Sequence, residues 1–327
     1  MNKNRFCFKR IAVYSFCLGL ALSLTGCEAK YTGHGISYLS KSGGRVSLNV
    51  YDYQSENTYT EKIGNPEDIF WLTSSVYENE SIAVDNKNTI YVMKKNGLET
   101  YHEIASNILE VKKMATDYLI IGEKDNSCYI ERWDTSFHTR KDKIEVKGTY
   151  SASFLDKESI YFSVYDDKTY RFSKLYQYSF DEEEPVVRYK MDEAVHTIPF
   201  SYGDELYLIQ NKKLTPADNI DLYELHQITD ITSSKKLMKF EEPAKMVTPV
   251  GNRVYVLFGM NSTKVFELDM KNNSTKEIAG IQAEAAAGLY ELAGGLYVIT
   301  DRGVYRYHGG QIKRKTQLDN SLMNEFR

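Results

Sequence analysis

After about residue 33, the chain alternates short apolar runs rich in Val, Ile, Tyr and Phe with polar turns rich in Asp, Asn, Gly and Lys. Runs of this length and composition are typical of β-strands joined by turns. Helical periodicity is nearly absent, and the one helix-like stretch, AEAAAGLYELAGG at 283–295, is short and interrupted by Gly288. The pattern therefore predicts an all-β protein.

A unit recurs along the chain: an apolar strand centred on a tyrosine, a polar turn, and a second aromatic strand. The leading tyrosines are Tyr38, Tyr91, Tyr118, Tyr161, Tyr207, Tyr255 and Tyr297. Their spacing averages about 43 residues, within the 40–45-residue period of a four-stranded propeller blade. A further run with small residues, such as EAAAGLYEL, precedes several copies and suits an innermost strand.

The repeat predicts a β-propeller of seven four-stranded blades. Two irregular intervals, of 53 and 27 residues, leave six to eight blades open. A pair of β-sandwiches is the alternative all-β arrangement, but it would not carry one period through the whole chain.

The first thirty residues have a different pattern. Four basic residues between Lys3 and Arg10 precede the apolar run from Ile11 to Leu24, and Cys27 follows. A run of 14 residues is shorter than the roughly 20 that span a bilayer as a helix. A basic N-terminal region, a short apolar core and small residues before a cleavage site are typical of a secretory signal peptide.

Residues 24–27, LTGC, resemble the lipobox of bacterial lipoproteins. The resemblance implies cleavage between Gly26 and Cys27 and lipidation of Cys27. Residues 1–26 would then be the signal peptide, 27–33 the lipidated cysteine with its tether, and 34–327 the propeller domain. The expected location is the extracytoplasmic face of a bacterial cell membrane, because two or three acyl chains anchor stably. The alternatives are a soluble secretory signal with a chance cysteine and an uncleaved anchor.

The tyrosine-marked repeats also resemble those of the propeller lipoproteins of bacterial envelopes. No WD, kelch, NHL or YWTD signature assigns a subfamily.

Removal of the signal peptide changes both the charge and the cysteine count. The remaining chain has 37 basic and 45 acidic residues, a formal charge of −8, which argues against nucleic acid as a partner. Cys7 and Cys17 leave with the signal and Cys27 carries lipid, so Cys128 remains alone and no intrachain disulfide is expected. A buried strand position is the expected role of Cys128.

Catalytic and metal-binding motifs are absent from the sequence, and its six histidines are scattered. We therefore expect neither a cofactor nor a metal site. Two consecutive repeats have long turns, YDDKTYRFS at 165–173 and NKKLTPADNI at 211–220, which would emerge on one face. Neutral variation in loop length is the alternative explanation. The candidate binding residues in these turns are Tyr170, Arg171, Phe172, Lys212, Lys213 and Asp218.

These observations predict a membrane-anchored lipoprotein whose propeller is a non-catalytic scaffold. The expected partner is an envelope protein, peptide or glycan, and the innermost strands are expected to be mostly small or apolar. The alternative is a propeller enzyme, of the lyase or hydrolase type, with a site in the central channel.

Overall fold

The computed structural model describes residues 35–42, 44–65, 67–68, 70–73, 81–156, 158–215 and 222–317. The predicted signal peptide, Gly26, Cys27 and the tether lie outside these residues. The described residues form strands and turns in seven antiparallel sheets, here called blades 1 to 7 in chain order. Within them, no helix has the length and apolarity needed to cross a membrane.

Each blade is built from strands that are consecutive in the chain. Blade 1 comprises β1 (Gly35–Ser42), β2 (Arg45–Asp52) and β3 (Asn57–Gly64); blade 2 comprises β4 (Phe70–Thr73), β5 (Ser81–Asp85), β6 (Ile90–Lys94) and β7 (Gly97–Tyr101). Blade 3 comprises β8 (Ile108–Lys113), β9 (Asp117–Lys124), β10 (Ser127–Asp134) and β11 (Arg140–Lys147); blade 4 comprises β12 (Thr149–Asp156), β13 (Ser159–Tyr165), β14 (Ser173–Ser179) and β15 (Val186–Met191). Blade 5 comprises β16 (Val195–Tyr202), β17 (Glu205–Lys213), β18 (Glu224–Asp230) and β19 (Ser233–Lys239). Blade 6 comprises β20 (Ala244–Val250), β21 (Arg253–Phe258), β22 (Thr263–Asp269) and β23 (Ser274–Ile281); blade 7 comprises β24 (Ala286–Leu292), β25 (Gly295–Thr300), β26 (Gly303–His308) and β27 (Gln311–Gln317).

The first strand of each of blades 2 to 7 is the innermost, because first strands of neighbouring blades contact each other around the centre. The Ser151 hydroxyl of β12, for example, accepts a hydrogen bond from the Thr197 amide of β16 over 3.0 Å. Between β20 and β24, the Thr248 hydroxyl donates to the Leu289 carbonyl over 2.9 Å. The small-residue runs of the sequence are therefore innermost strands, as predicted.

An apolar cluster fills each interface between neighbouring blades. Phe162, for example, lies between blades 3 and 4 with Leu119 and Ile130, and none of the three side chains is more than 1% exposed. Equivalent clusters join all seven successive pairs, including blade 7 with blade 1. The sheets thus form a closed ring, which confirms the predicted seven-bladed propeller.

The three described strands of blade 1 correspond to the second, third and fourth strands of the other blades. At the end of β2, the Asp52 carboxylate accepts the amides of Gln54 and Ser55. Asp134 and Asp269 form similar turns at the ends of β10 and β22, which are third strands. The innermost strand of blade 1 is therefore not among the described residues.

Blade 2 explains the irregular spacing of the tyrosines. Tyr91, expected on a second strand, lies on β6, the third strand of its blade. The second strand is β5, with the sequence SIAVD, whose five residues are all buried and include no tyrosine. The 53- and 27-residue intervals therefore reflect a wrong strand assignment rather than a different blade count.

The ring closes between blades 7 and 1 by side-chain contacts. The Tyr53 and Tyr297 ring centroids are 5.9 Å apart, and Lys315 Nζ lies 2.7 Å from Glu56 Oε1. Ile36 and Tyr51 pack with Val304 in the apolar cluster of this interface. No sheet in the described part of the chain combines strands of blade 1 with strands of blade 7.

Candidate functional site

The innermost strands share an irregularity near their first residues. In β8, β12, β20 and β24 the pairing with the second strand shifts register after the first or second residue, which leaves one extra residue in the inner strand. Such bulges bend a strand and redirect its side chains, and they are frequent beside functional sites. In blade 3 the residue that follows the bulge is Glu110.

Glu110 is the centre of a polar group in the central channel, which we call the channel cluster: Glu110, Lys112, Tyr150, Ser153 and Tyr290. The Tyr150 hydroxyl of β12 donates to Glu110 Oε2. The Ser153 hydroxyl donates to the same oxygen over 3.0 Å, and Lys112 Nζ lies 2.6 Å from Glu110 Oε1. Three donors from two blades therefore converge on one carboxylate.

The ion pair between Lys112 and Glu110 is largely removed from water. The Lys112 side chain is 5% exposed and the Glu110 side chain 18%. Dehydrated charges attract each other more strongly than charges in water, but each must remain paired. This arrangement fixes a negative and a positive group on one short strand that faces the channel.

The phenol of Tyr150 remains protonated at neutral pH. Burial, together with the adjacent Glu110 charge, raises the pKa of Tyr150 well above its usual value. Tyr150 is therefore a hydrogen-bond donor to the carboxylate and not a base.

Tyr290 of β24 approaches the cluster from the other side of the ring. Burial and the Glu110 charge raise the pKa of Tyr290 to about 12. Blades 3 and 7 are not neighbours, so this electrostatic interaction acts across the central channel. No hydrogen bond to the Tyr290 hydroxyl is found among the described residues, and burial is the main cause of its raised pKa.

The channel cluster has the groups that general acid–base chemistry requires. A fixed carboxylate can accept a proton, and a phenol that stays protonated still carries one to donate. The Lys112 ammonium can stabilise negative charge that develops nearby.

The predicted binding turns lie at neighbouring blades, 4 and 5. Tyr170, Arg171 and Phe172 belong to the turn between β13 and β14, where Tyr170 has a left-handed backbone with a φ of 54°. Lys174 Nζ lies 4.9 Å from the centre of the Phe172 ring. The structure therefore places the Phe172 ring beside Lys174 at the start of β14.

Lys212 and Lys213 end β17 in blade 5, and Asp218 lies outside the described residues. Lys213 Nζ is 2.5 Å from Glu193 Oε2, and Glu193 also accepts the Ser173 hydroxyl of blade 4 at its carbonyl over 2.9 Å. Burial, and secondarily the Lys212 charge, lowers the pKa of the adjacent His196. The described members of the two turns are therefore joined through Glu193, and their binding role stays a prediction.

Cys128 lies on β10 with 1% of its surface exposed. Burial raises the pKa of its thiol, and the Glu123 charge raises it further. The thiol therefore stays protonated and inert, as expected for a buried strand position.

Sequence reasoning missed the channel cluster. It expected small or apolar innermost strands, but β8 has the sequence ILEVKK, with Glu110 and Lys112 at alternating positions. Two opposite charges in a six-residue strand that precedes the buried strand β9 were the available signal. They match no catalytic motif because their partners, Tyr150 and Tyr290, lie on other blades.

No known protein-family model matches the chain, and no curated protein matches it. Solved structures do. An acylaminoacyl peptidase from Pyrococcus horikoshii is 14% identical with a TM-score of 0.56, over 87% of this chain and 53% of that one. The β-propeller domain of the Trilobed protease from Pyrococcus furiosus is 14% identical with a TM-score of 0.57, over 87% and 96%. An oligogalacturonate lyase solved with manganese is 12% identical with a TM-score of 0.56, over 86% and 83%.

These similarities define the chain as a β-propeller protein. At such low identity they establish the fold alone, and the chain spans about half the length of the acylaminoacyl peptidases that it matches.

The comparisons also correct the expected role. The non-catalytic scaffold was wrong, because the similar propellers occur in proteins named as peptidases, a protease and a lyase. The alternative, a propeller enzyme, fits these neighbours better. The sequence had weighed against an enzyme because its innermost strands looked mostly small or apolar. Glu110 and Lys112 on the innermost strand β8 remove that argument.

Proposed function

We propose that the protein is a propeller enzyme of the lyase or hydrolase type, with its site in the central channel. The observation that carries the proposal is the Glu110 carboxylate, held by Lys112, Tyr150 and Ser153 and faced across the channel by Tyr290. A structural ion pair would not require a phenol on the opposite side of the ring.

Each group has a role that its surroundings support. Glu110 accepts a proton, either from a substrate carbon in an elimination or from an attacking water in a hydrolysis. Lys112 stabilises the negative charge that develops on the substrate. Tyr290, protonated because its pKa is about 12, donates to the leaving oxygen or nitrogen. Tyr150 and Ser153 orient the carboxylate.

The substrate class follows from the proposed location. We assign the protein to the extracytoplasmic face of a bacterial cell membrane, attached through lipid on Cys27. Glycans and peptides of the envelope are the polymers available there. The turns with Tyr170 and Lys213 would then bind flanking parts of such a chain at the face of blades 4 and 5.

Turnover of glycans and peptides tests the enzymatic proposal. Purified protein is incubated with peptidoglycan fragments, oligogalacturonate and a peptide mixture, and mass spectrometry identifies new unsaturated or hydrolysed ends. Tyr290→Phe is expected to lower the rate about tenfold or more, because it removes a proton donor. Its stability should be unchanged, because the lost hydroxyl has no hydrogen-bond partner among the described residues.

Tyr307→Phe is the matched control, since Tyr307 lies on β26 of the same blade, away from the innermost strand. An absence of turnover on all three substrates, or equal rates for both variants, would overturn the proposal.

Membrane attachment is tested separately. Cys27→Ser is expected to move the protein from the membrane fraction to the soluble or secreted fraction, because the lipid acceptor is lost. Cys17→Ser is the control, because Cys17 lies within the expected signal peptide. Retention of Cys27→Ser in washed membranes, or failure of the wild type to incorporate labelled fatty acid, would contradict lipidation.

A further inference from the structure

We propose that Ser234, His226 and Glu224 form a second reactive site, in which Ser234 is a nucleophile towards acyl esters and related electrophiles. The three residues belong to the outer strands β18 and β19 of blade 5, away from the innermost strands. This site is independent of the channel cluster.

The three side chains are joined in a continuous hydrogen-bonded series. His226 Nε2 lies 3.2 Å from Glu224 Oε2, and His226 Nδ1 lies 3.1 Å from the Ser234 hydroxyl. When Nε2–H donates to the carboxylate, Nδ1 is left to accept the Ser234 proton. The series therefore has a hydroxyl, a base and an orienting carboxylate in the order that nucleophilic catalysis requires.

The strand geometry explains how these residues meet. Glu224 and His226 are two apart on β18, so both project to one face of the blade. Residue 234 reaches them from β19, which pairs antiparallel with β18. No loop is needed to position any of the three groups.

The carboxylate remains charged. Burial alone would raise the pKa of Glu224, but hydrogen bonds from Lys236 and His226 outweigh burial and hold it below the usual value. Lys236 Nζ lies 2.7 Å from Glu224 Oε1, and the His226 and Glu224 side chains are 13% and 12% exposed. An ionised carboxylate with limited hydration is suited to fix the histidine tautomer.

Blade 4 completes the site. The Tyr189 hydroxyl of β15 lies 2.8 Å from the Ser234 oxygen, and the Lys190 amide donates to the Ile231 carbonyl over 2.7 Å. This backbone contact holds the turn between β18 and β19 against β15. Apolar side chains of the same interface, including Ile228 and Leu175, would contact the acyl group of a substrate.

The reaction balances without a cofactor. The Ser234 oxygen attacks the carbonyl carbon of an ester, and its proton passes to His226 Nδ1. Collapse of the tetrahedral adduct breaks the bond to the leaving alkoxide, which takes the proton from His226. Water then releases the acid from the acyl-serine.

The test uses a fluorophosphonate probe, which forms a bond from serine oxygen to phosphorus with loss of fluoride. Mass spectrometry of the labelled full-length mature protein is expected to locate the adduct on Ser234. Ser234→Ala should abolish labelling there, and His226→Gln should slow it at least tenfold. Ser233→Ala is the matched control, because Ser233 is the exposed neighbour on the same strand.

Circular dichroism of each variant establishes that it is folded. Glu184→Gln should label at the wild-type rate, because Glu184 is exposed and belongs to neither site. An absence of labelling in the folded wild type, equal labelling of folded His226→Gln, or an adduct at another residue would overturn the assignment.

Discussion

Glu110→Gln is expected to lower turnover of any substrate processed in the channel by about 10²–10⁴-fold, the range typical for loss of a catalytic acid or base. Glutamine keeps the volume of the side chain and can still accept hydrogen bonds from Tyr150 and Ser153. It cannot accept the substrate proton. The same variant is expected to lose stability, because Lys112, only 5% exposed, loses its counter-charge.

A double variant separates activity from stability. Glu110→Gln combined with Lys112→Met removes both charges, and replacing a buried pair by neutral groups of similar size is often neutral for stability. Its free energy of unfolding in urea should recover most of the loss, while turnover falls to or below the level of the single variant, because Lys112 no longer stabilises developing negative charge. Glu184→Gln is the control, because it makes the same substitution at an exposed glutamate outside the channel cluster. Wild-type turnover by the double variant would exclude Glu110 as the base.

Phe162→Ala is expected to lower the free energy of unfolding by about 3–5 kcal/mol, the usual cost of emptying a buried phenylalanine position. Phe162 is fully buried between blades 3 and 4, and its ring lies 5.3 Å from that of Tyr176. These are the two blades that supply Glu110 and Tyr150. Urea unfolding followed by tyrosine fluorescence measures the change.

Two further variants show whether the cost arises from the cavity. Phe162→Leu keeps most of the volume and should lose clearly less stability than the alanine variant. Val186→Ala should change stability by less than about 0.5 kcal/mol, because Val186 is 56% exposed. If Phe162→Ala were as stable as Val186→Ala, the interface would not contribute as the packing indicates.

The fold could be predicted from the sequence because each blade repeats the same pattern of buried apolar strands and polar turns. Apolar second strands such as SIYFSVY must bury both faces between neighbouring blades, so their composition is constrained at every repeat. Blade 2 escaped this reasoning because a short second strand without an aromatic residue, SIAVD, performs the same packing. Tyr91, on the third strand of that blade, was therefore counted as a second-strand tyrosine.

The candidate site could not be predicted in the same way. Glu110, Tyr150 and Tyr290 are brought together by closure of the ring, and no sequence spacing encodes that closure. The hydrogen bonds of Ser234 and His226 depend equally on register between β18 and β19. When the residues of a site come from different strands, they are scattered along the sequence and form no recognisable motif.

The junction of blades 7 and 1 has a consequence for the order of folding. Its ion pair joins residues that are 259 positions apart, whereas the other blade interfaces join neighbouring repeats. Because the entropy of loop closure depends logarithmically on length, meeting over this separation costs roughly 1.6 kcal/mol more than closing a loop of about 43 residues. Because this entropy must be offset before a distant contact stabilises the fold, we expect the junction of blades 7 and 1 to form after the interfaces between neighbouring repeats. With that order, the channel and any chemistry within it would be complete only once this junction has formed.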